Sequence, residues 1–548
     1  VLTHRIAHWI ESKRFKAEEI LALTFTEKAA QELEERLDQL LPYGYGDLWV
    51  KTYHGFCEAI LRESGLEMGL DTAYRVLTQT DLSMLLREKL FTFELKHYRP
   101  LGNPTRFLSA LTDHFSHLRD ELVTVKMYRE YAKKLVKEAE DEAAHGHADR
   151  AHELAEAYAR YEALLLEENV MDFASLQFWA LRLIEEHPHV LSGYQSRFKA
   201  IVVDEFQDTN TAQGRIVELL GKAHQNLTVV GDDDQSIYQW RGASLANILE
   251  FETVFPNPHK IVLTQNYRST QPILDLAYAV IQHNNPHRLE VKNALDKRLV
   301  AAKGAAAKGT KVDEKPVALR FSHYLEEVEF VVKKIAALRD KGIPLREMAI
   351  LVRASAHAVP FADRLSREEI PFTFYGAQGL FQREEIRDLL AVLRSLVNRD
   401  DDIALFRFLS IKEFGFEIEY LLQLLQKSKS TSSSLFAVVL SEIDSPNLFT
   451  GVGAGSGLSR FLELFKSLQK LSQSHPASHV LGTFLRDSHY LSALEEADAL
   501  QAIATFSQMV EGFERAAQDP RLPACLEYIR ARQDVGDRAA PSEVALDA

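Results

Sequence analysis

Short unbroken apolar runs alternate with longer stretches whose apolar residues recur every three or four positions, and that alternation predicts the architecture. An amphipathic, basic stretch from His4 to Lys16 leads into the strand-like Ile20-Leu21-Ala22-Leu23-Thr24-Phe25, and Lys28 to Leu40 follows in helical rhythm. Strand then helix is the unit of a parallel α/β sheet. From about Cys57 to Gln177 the pattern is almost wholly helical, with long charged faces. Ala200 to Val203 and Leu227 to Val230 then read as buried strands, each ending in acidic residues or glycine. A third strand, Lys260 to Leu263, precedes Asn266-Tyr267-Arg268, and more are predicted near Val317 to Phe321 and Ala349 to Val352. Beyond about Asp400 the helical pattern returns. Ala301 to Thr310, Lys427 to Ser434 and Gly451 to Gly457 read as loops. The prediction is an α/β unit with a helical insertion, then a second α/β unit entering another.

Composition narrows this little. At 548 residues the chain is too long for one ordinary domain. It is globular in make-up, 46% hydrophobic and 26% charged, with no apolar run of membrane-spanning length. Two cysteines, Cys57 and Cys525, exclude a disulfide framework and cannot alone form a cysteine zinc site. A reducing cytoplasm is the expected home, with no membrane partner. The net charge of −15 argues against coating nucleic acid by bulk attraction, but not against a local groove.

The chemistry begins at Ile201-Val202-Val203-Asp204-Glu205-Phe206-Gln207-Asp208-Thr209. An apolar strand ending in Asp-Glu is the arrangement nucleotide hydrolases place at the carboxyl edge of a sheet. Asp204 can hold Mg²⁺ there, and Glu205 can orient and deprotonate water. For Asp-Glu alone, carboxylates favoured at a helix start would suffice as an explanation. Some two dozen residues on stands Val229-Val230-Gly231-Asp232-Asp233-Asp234-Gln235-Ser236-Ile237-Tyr238-Gln239-Trp240-Arg241-Gly242-Ala243. Gln235 offers an uncharged amide to a phosphate oxygen. Tyr238 and Trp240, beside Arg241, suit stacking on unpaired bases.

Together these two strings resemble motifs II and III of the UvrD, PcrA and Rep group of superfamily 1 DNA helicases. Other strings agree in order: Leu21 to Leu33 resembles motif Ia, Lys51 to Cys57 the next motif, Leu263 to Thr270 motif IV, and Phe374 to Asp402 the approach to the second insertion. The resemblance implies two RecA-like parallel-sheet cores of the P-loop NTPase type, each with a helical insertion. The first core takes 1–56 and 177–258, its insertion 57–176, the second core 259–400, and an incomplete second insertion 401–548. It further implies an ATP- and Mg²⁺-dependent helicase moving 3′ to 5′ on single-stranded DNA and at single/double-strand junctions, in repair or replication, in the cytoplasm of a bacterium near its nucleoid. Tyr267 would stack on the adenine, Arg268 reach the γ-phosphate, and Gln235 link phosphate to DNA. Thr24, Phe25, Thr52, Tyr53, His54, Tyr238, Trp240 and Arg241 would line the strand groove. Glu27 stands where many relatives have Asn and is left out of the DNA contacts, since its charge would repel phosphate. The rivals are a helicase–nuclease subunit of the RecB or AddA kind and a non-catalytic single-strand-binding scaffold.

No Gly-x-x-x-x-Gly-Lys-Ser/Thr loop occurs; Lys308-Gly309-Thr310 has the order reversed. Val1 to Ile6 resembles the helix just after the family's P-loop, and the final motifs are absent. The resemblance therefore implies a fragment of an active parent, itself hydrolysing ATP poorly or not at all. Among weaker signals, Lys126, Arg129, Lys133, Lys134 and Lys137 read as a solvated helix face, and His145, His147 and His152 with Asp149 as surface groups. Asp172 reads as a helix cap.

Overall fold

The computed structural model describes residues 1–41, 45–239, 242–302, 315–374, 380–444, 454–494, 497–516 and 519–534. Two compact units divide between Ala318 and Leu319.

In the first unit, helix α1 (Leu2–Glu11) precedes strand β1 (Ile20–Thr24), followed by α2 (Glu27–Leu40), β2 (Trp49–Thr52) and α3 (Tyr53–Ser64). A short strand β3 (Arg75–Val76) opens a helical excursion through α4 (Gln79–Glu88), α5 (Leu108–Asp120), α6 (Val125–Glu138) and α7 (Glu142–Glu167), closed by β4 (Val170–Met171). Then come α8 (Phe173–Glu186), α9 (Pro188–Arg197), β5 (Ala200–Val203), α10 (Thr211–Gly221) and β6 (Leu227–Val229). The strands β2-β1-β5-β6 form one parallel sheet in that order. Thr24 sits beside Thr52, Leu23 beside Val203, and Val203 beside Val229, so four carboxyl ends share one edge.

Every residue of β1 and β5 is buried, because both faces of the sheet are covered. Alternation sends Leu21, Leu23, Ile201 and Val203 into a core with Phe56, Ile60, Trp179, Leu183 and Ile216. Their neighbours Ile20, Ala22, Ala200 and Val202 enter another core with Ile6, Trp9, Leu33 and Leu37. The excursion has its own core around Leu82, Phe115, Tyr158 and Tyr161. Side chains stop the helices where the sequence allows: Thr26 caps α2, Thr52 caps α3 and Asn210 closes a capping box with Gln213 on α10. Asp172 accepts from the Ser175 N–H at 2.6 Å and caps α8, as expected.

The chain is thus α/β with parallel sheets, but the strands expected after β6 are displaced or missing. Lys260 to Leu263, Val317 to Phe321 and Ala349 to Val352 carry no strand ladder. A parallel strand needs neighbours on its edges and cover on its faces, and Ile261, Val317 and Leu351 are 70%, 77% and 94% exposed. The ladder that does form joins β7 (Gln265–Asn266) to β8 (Val300–Ala301) in parallel. Between them lies the helix Gln271–Ile281.

The second unit is helical among its described residues. The helices Tyr324–Asp340 and Ser355–Arg367 meet through Val328, Val332 and Leu365, and Ile370, just past the second helix, joins their core. A larger core gathers Phe408, Phe461, Phe465, Phe484 and Phe506. Two expected loops are corrected here. The helix Ile418–Thr431 runs through Lys427, which pairs with Glu442 at 2.6 Å, so only 432–434 remains a loop, and the helix Ala454–Ser474 takes in Ala454 to Gly457, while 451–453 lies outside the described residues. Of the third, 303–310 lies outside the described residues. Among the described residues, no helix is long and apolar enough to cross a membrane.

Candidate functional site

Asp204 and Glu205 leave β5 at the shared sheet edge. The Asp204 N–H donates to the Leu23 carbonyl at 3.0 Å, extending the ladder by one residue. Burial first, and the Glu205 carboxylate second, raise the Asp204 carboxyl above the ordinary range. Glu205 is exposed and holds a left-handed backbone, φ +48°, uncommon outside glycine. The turn leads the chain from β5 towards Phe206–Asp208, and the Glu205 carboxylate is anchored there. Gln207, 1% exposed, fixes it: its Nε2 donates to Glu205 Oε2 at 2.8 Å and to Asp208 Oδ2 at 3.3 Å. Its Oε1 accepts from the Asp232 N–H at 3.0 Å, joining the loops after β5 and β6. A Cβ on Gly231 would lie 2.7 Å from that Oε1 and 2.8 Å from Ile248 Cδ1, so only glycine admits this bridge unshifted. Sequence reading missed Gln207 as a functional group, though it lies inside the most informative string. Asp208 was also passed over: burial and Glu205 push its carboxyl up to about 6, and its Oδ1 has no hydrogen-bond partner.

After β6, Asp232, Asp233 and Asp234 bring ligand atoms within 4.8 Å of one another. Lys297 donates to all three, and Arg288 forks onto Asp234 at 2.7 and 2.6 Å. Burial pushes the Asp234 carboxyl up, but these cations outweigh it and hold it below the usual range. Gln235 is exposed and donates to Asp232 Oδ2 at 2.8 Å.

The expected groove residues divide. Phe25 and Tyr238, from separate edge loops, have ring centroids 5.3 Å apart. Thr24 and Thr52 are buried: Thr24 donates to the Thr26 carbonyl at 3.1 Å, and Thr52 donates to Glu27 Oε1 at 2.6 Å while accepting from the Gly55 N–H. Glu27 therefore orients the helix cap. Tyr53 corrects an expectation, for it is 2% exposed and offers no stacking face. With Thr52 as cap, Tyr53 becomes the first residue of α3 and its ring enters the sheet core. His54 packs edge-on to Phe173 at 5.4 Å and bonds to Gln177, and burial lowers its pKa. Trp240 and Arg241 lie outside the described residues. Tyr267 and Arg268 follow β7, both exposed, in a turn where Asn266 Oδ1 accepts from the Arg268 and Ser269 N–H groups at 2.9 and 2.7 Å. The hydrogen bonds of the edge cluster do not include Arg268.

A second network lies behind the edge. Asn210 Nδ2 donates to Asp120 Oδ1 and to Gln177 Oε1, both at 2.8 Å, and Gln177 reaches His54. Gly242, at φ +85°, would carry its Cβ 3.3 Å from Asp120 Oδ2. Burial, then Asp172 and Glu121, push the Asp120 carboxyl up to about 7, against the Asn210 amide. The folded state binds this proton more tightly than the unfolded chain, whose aspartates titrate near 3.9. Its contribution is therefore full below that value and lost as pH rises through about 7. Asp120→Asn keeps the acceptor for Asn210 and is expected to raise the thermal midpoint at pH 8 while flattening its decline from pH 5 to 8. Melting curves across that range check it, and an unchanged slope would assign the titration to another group.

Comparison with known proteins gives a consistent picture. Residues 1–256 match the family described as the UvrD/REP helicase N-terminal domain, and residues 261–522 match the UvrD-like helicase C-terminal domain. The chain is 32% identical over 511 residues to the ATP-dependent DNA helicase PcrA of Staphylococcus epidermidis, covering 93% of this chain and 65% of that protein. It is 32% identical over 508 residues to the PcrA helicase of Staphylococcus aureus, covering 92% of this chain and 64% of that one. The chain thus spans a little under two thirds of the length of these relatives.

Proposed function

Because this chain belongs to the UvrD/REP helicase family, we propose that it carries out ATP-dependent movement along single-stranded DNA, 3′ to 5′, opening duplex at single/double-strand junctions. The observation that carries this reading is one sheet edge on which Glu205, Gln207 and Asp232 share hydrogen bonds beside the Phe25–Tyr238 ring pair. Nucleotide chemistry and a base-stacking surface are then a few residues apart on the same loops.

Hard oxygen ligands suit Mg²⁺, and a dication would offset the burial and, second to it, the Glu205 repulsion that raise the Asp204 carboxyl. Asp204 would hold that ion, which supplies charge neutralisation on the ATP phosphates. Glu205 takes the proton from the attacking water, with Gln207 keeping its carboxylate in place. Gln235 exchanges its bond to Asp232 for a phosphate oxygen. Tyr267 offers an exposed ring to the adenine, and Arg268 an exposed guanidinium to the γ-phosphate. Phe25 and Tyr238, with Trp240 and Arg241, grip the strand by stacking and charge, which confers little sequence preference. We assign 1–74 and 172–258 to the first RecA-like core and 75–171 to its insertion, moving the expected bounds 57 and 176 inward because Ile60, Leu70, Tyr74 and Leu176 pack in the sheet core, and we assign 259–400 to the second core and 401–548 to the second insertion. Separate cores around the sheet and around Phe115 support the first division. Action in repair or replication, in a bacterial cytoplasm at the nucleoid, follows from the same reading.

The test uses the full-length protein. ATP turnover is expected to rise on adding oligo(dT), and a 3′-tailed duplex to be unwound in preference to a 5′-tailed one. Turnover indifferent to DNA, or a 5′ preference, would overturn the reading. Degradation of the displaced strand would favour the helicase–nuclease alternative.

A further inference from the structure

The acidic triplet after β6 looks like a cation site, and a cation of the protein's own fills it. Lys297 Nζ donates to Asp232 Oδ1 and Asp233 Oδ1 at 2.5 Å each and to Asp234 Oδ2 at 2.9 Å. Arg288, 3% exposed, adds a second positive charge through its fork on Asp234 and pairs with Glu290 at 2.6 Å. The Leu289 N–H donates to Asp233 Oδ2 at 2.7 Å. An ammonium enclosed by three carboxylates is not a surface ion pair of negligible worth. Removing one partner strands the others without compensation.

What gives the ammonium a consequence beyond stability is the division of labour on Asp232. One carboxylate oxygen holds Lys297 and the other holds the Gln235 amide, while the Asp232 N–H reaches Gln207, which holds Glu205. Lys297 stands three residues before β8, and β8 pairs with β7, directly after which come Tyr267 and Arg268. The partners are 65 residues apart in sequence at Asp232 and 63 at Asp234, so this link is tertiary.

We infer that Lys297 is a positioning residue, which registers the loop carrying Gln235 against the β7–β8 ladder carrying Tyr267 and Arg268, and that the triplet is an internal ammonium site and not a divalent-cation site. The inference rests on the reading of Gln235 as the phosphate-contacting amide. A phosphate that draws Gln235 from Asp232 leaves that carboxylate to Lys297 alone, so the two loops sense the nucleotide together.

The experiment is a double-mutant cycle on DNA-stimulated ATP turnover by the full-length protein. Lys297→Met is expected to lower kcat about tenfold with little change in KM, since misplaced catalytic groups cost rate before affinity. Lys297→Arg, which restores a cation, is expected to recover most of the loss. In a Gln235→Ala background the Lys297→Met effect should largely vanish, because groups acting through one another are not additive. Should Lys297→Met fail to fold, Asp232→Asn takes its place in the cycle, keeping an acceptor for Gln235 while weakening the hold on Lys297. Independent, multiplying effects, or full turnover in Lys297→Met beside a crippled Gln235→Ala, overturn this inference alone. An inert Gln235→Ala overturns the reading of Gln235, and this inference falls with it.

Discussion

Glu205→Gln in the full-length protein is expected to cut DNA-stimulated ATP turnover by about 10²–10⁴-fold while leaving nucleotide binding nearly unchanged. That range is what a positioned general base contributes. The substitution is close to isosteric, and a glutamine carbonyl can still accept from Gln207 Nε2, so the left-handed turn at φ +48° keeps its support. What disappears is the basicity toward water. Steady-state turnover beside equilibrium binding of a labelled nucleotide separates the two effects. The informative comparison is Asp208→Asn, because Asp208 has a raised carboxyl and an unpartnered Oδ1 one bond network away. Undiminished turnover in Glu205→Gln with loss in Asp208→Asn would move the base from the exposed acid to the buried one.

The largest loss of stability is expected at Arg119, inside the helical excursion and far in character from the sheet edge. Its side chain is fully buried, donates to Ser175 Oγ, and lies 5.9, 5.2 and 5.6 Å from the rings of Tyr158, Tyr161 and Phe178. Glu162 approaches to 3.7 Å. Burial pulls the guanidinium pKa down, but Asp172, the two tyrosines and Glu162 outweigh it and the net shift is upward. Asp172, itself 4% exposed, accepts from Tyr161 and Ser175 and caps α8. Arg119→Met preserves much of the volume and removes the cation, leaving a buried carboxylate uncompensated, which costs about 3–5 kcal/mol. Denaturant unfolding of the variant against the parent measures this. An unchanged midpoint would mean that the buried cation contributes nothing to holding this cluster together.

The sheet and its edge were legible because two independent signals coincide there. Ile20 to Leu23 and Ala200 to Val203 are apolar without alternation, as strands covered on both faces must be, and chemistry-bearing residues follow each at once, as they do the half-buried edge strand Leu227 to Val229. Other features depend on contacts that no local pattern encodes. Tyr53 reads like an exposed aromatic in a motif, yet the cap made by Thr52 decides which way the first turn of α3 faces. Lys427 and Ser428 look like a polar loop, but Glu442 and the Ser433 carbonyl satisfy them within a helix end. Val317 to Phe321 and Ala349 to Val352 have strand composition and lack strand neighbours; composition states a preference, and only pairing makes a strand. Lys297 carried no signal at all, because its meaning lies in three aspartates more than sixty positions away.

Two covered faces on the sheet also bound how this protein can vary. Within β1 and β5, drift is confined to exchanges of similar volume, since any polar newcomer meets a helix on whichever side it points. The exposed positions at the tips, such as Glu205 and Gln235, are under no such restriction. Changes in substrate, stepping or partner must therefore enter through the loops after β1, β5 and β6, and an insertion as large as the one between β3 and β4 is tolerated because it leaves and rejoins the scaffold at a single two-residue ladder.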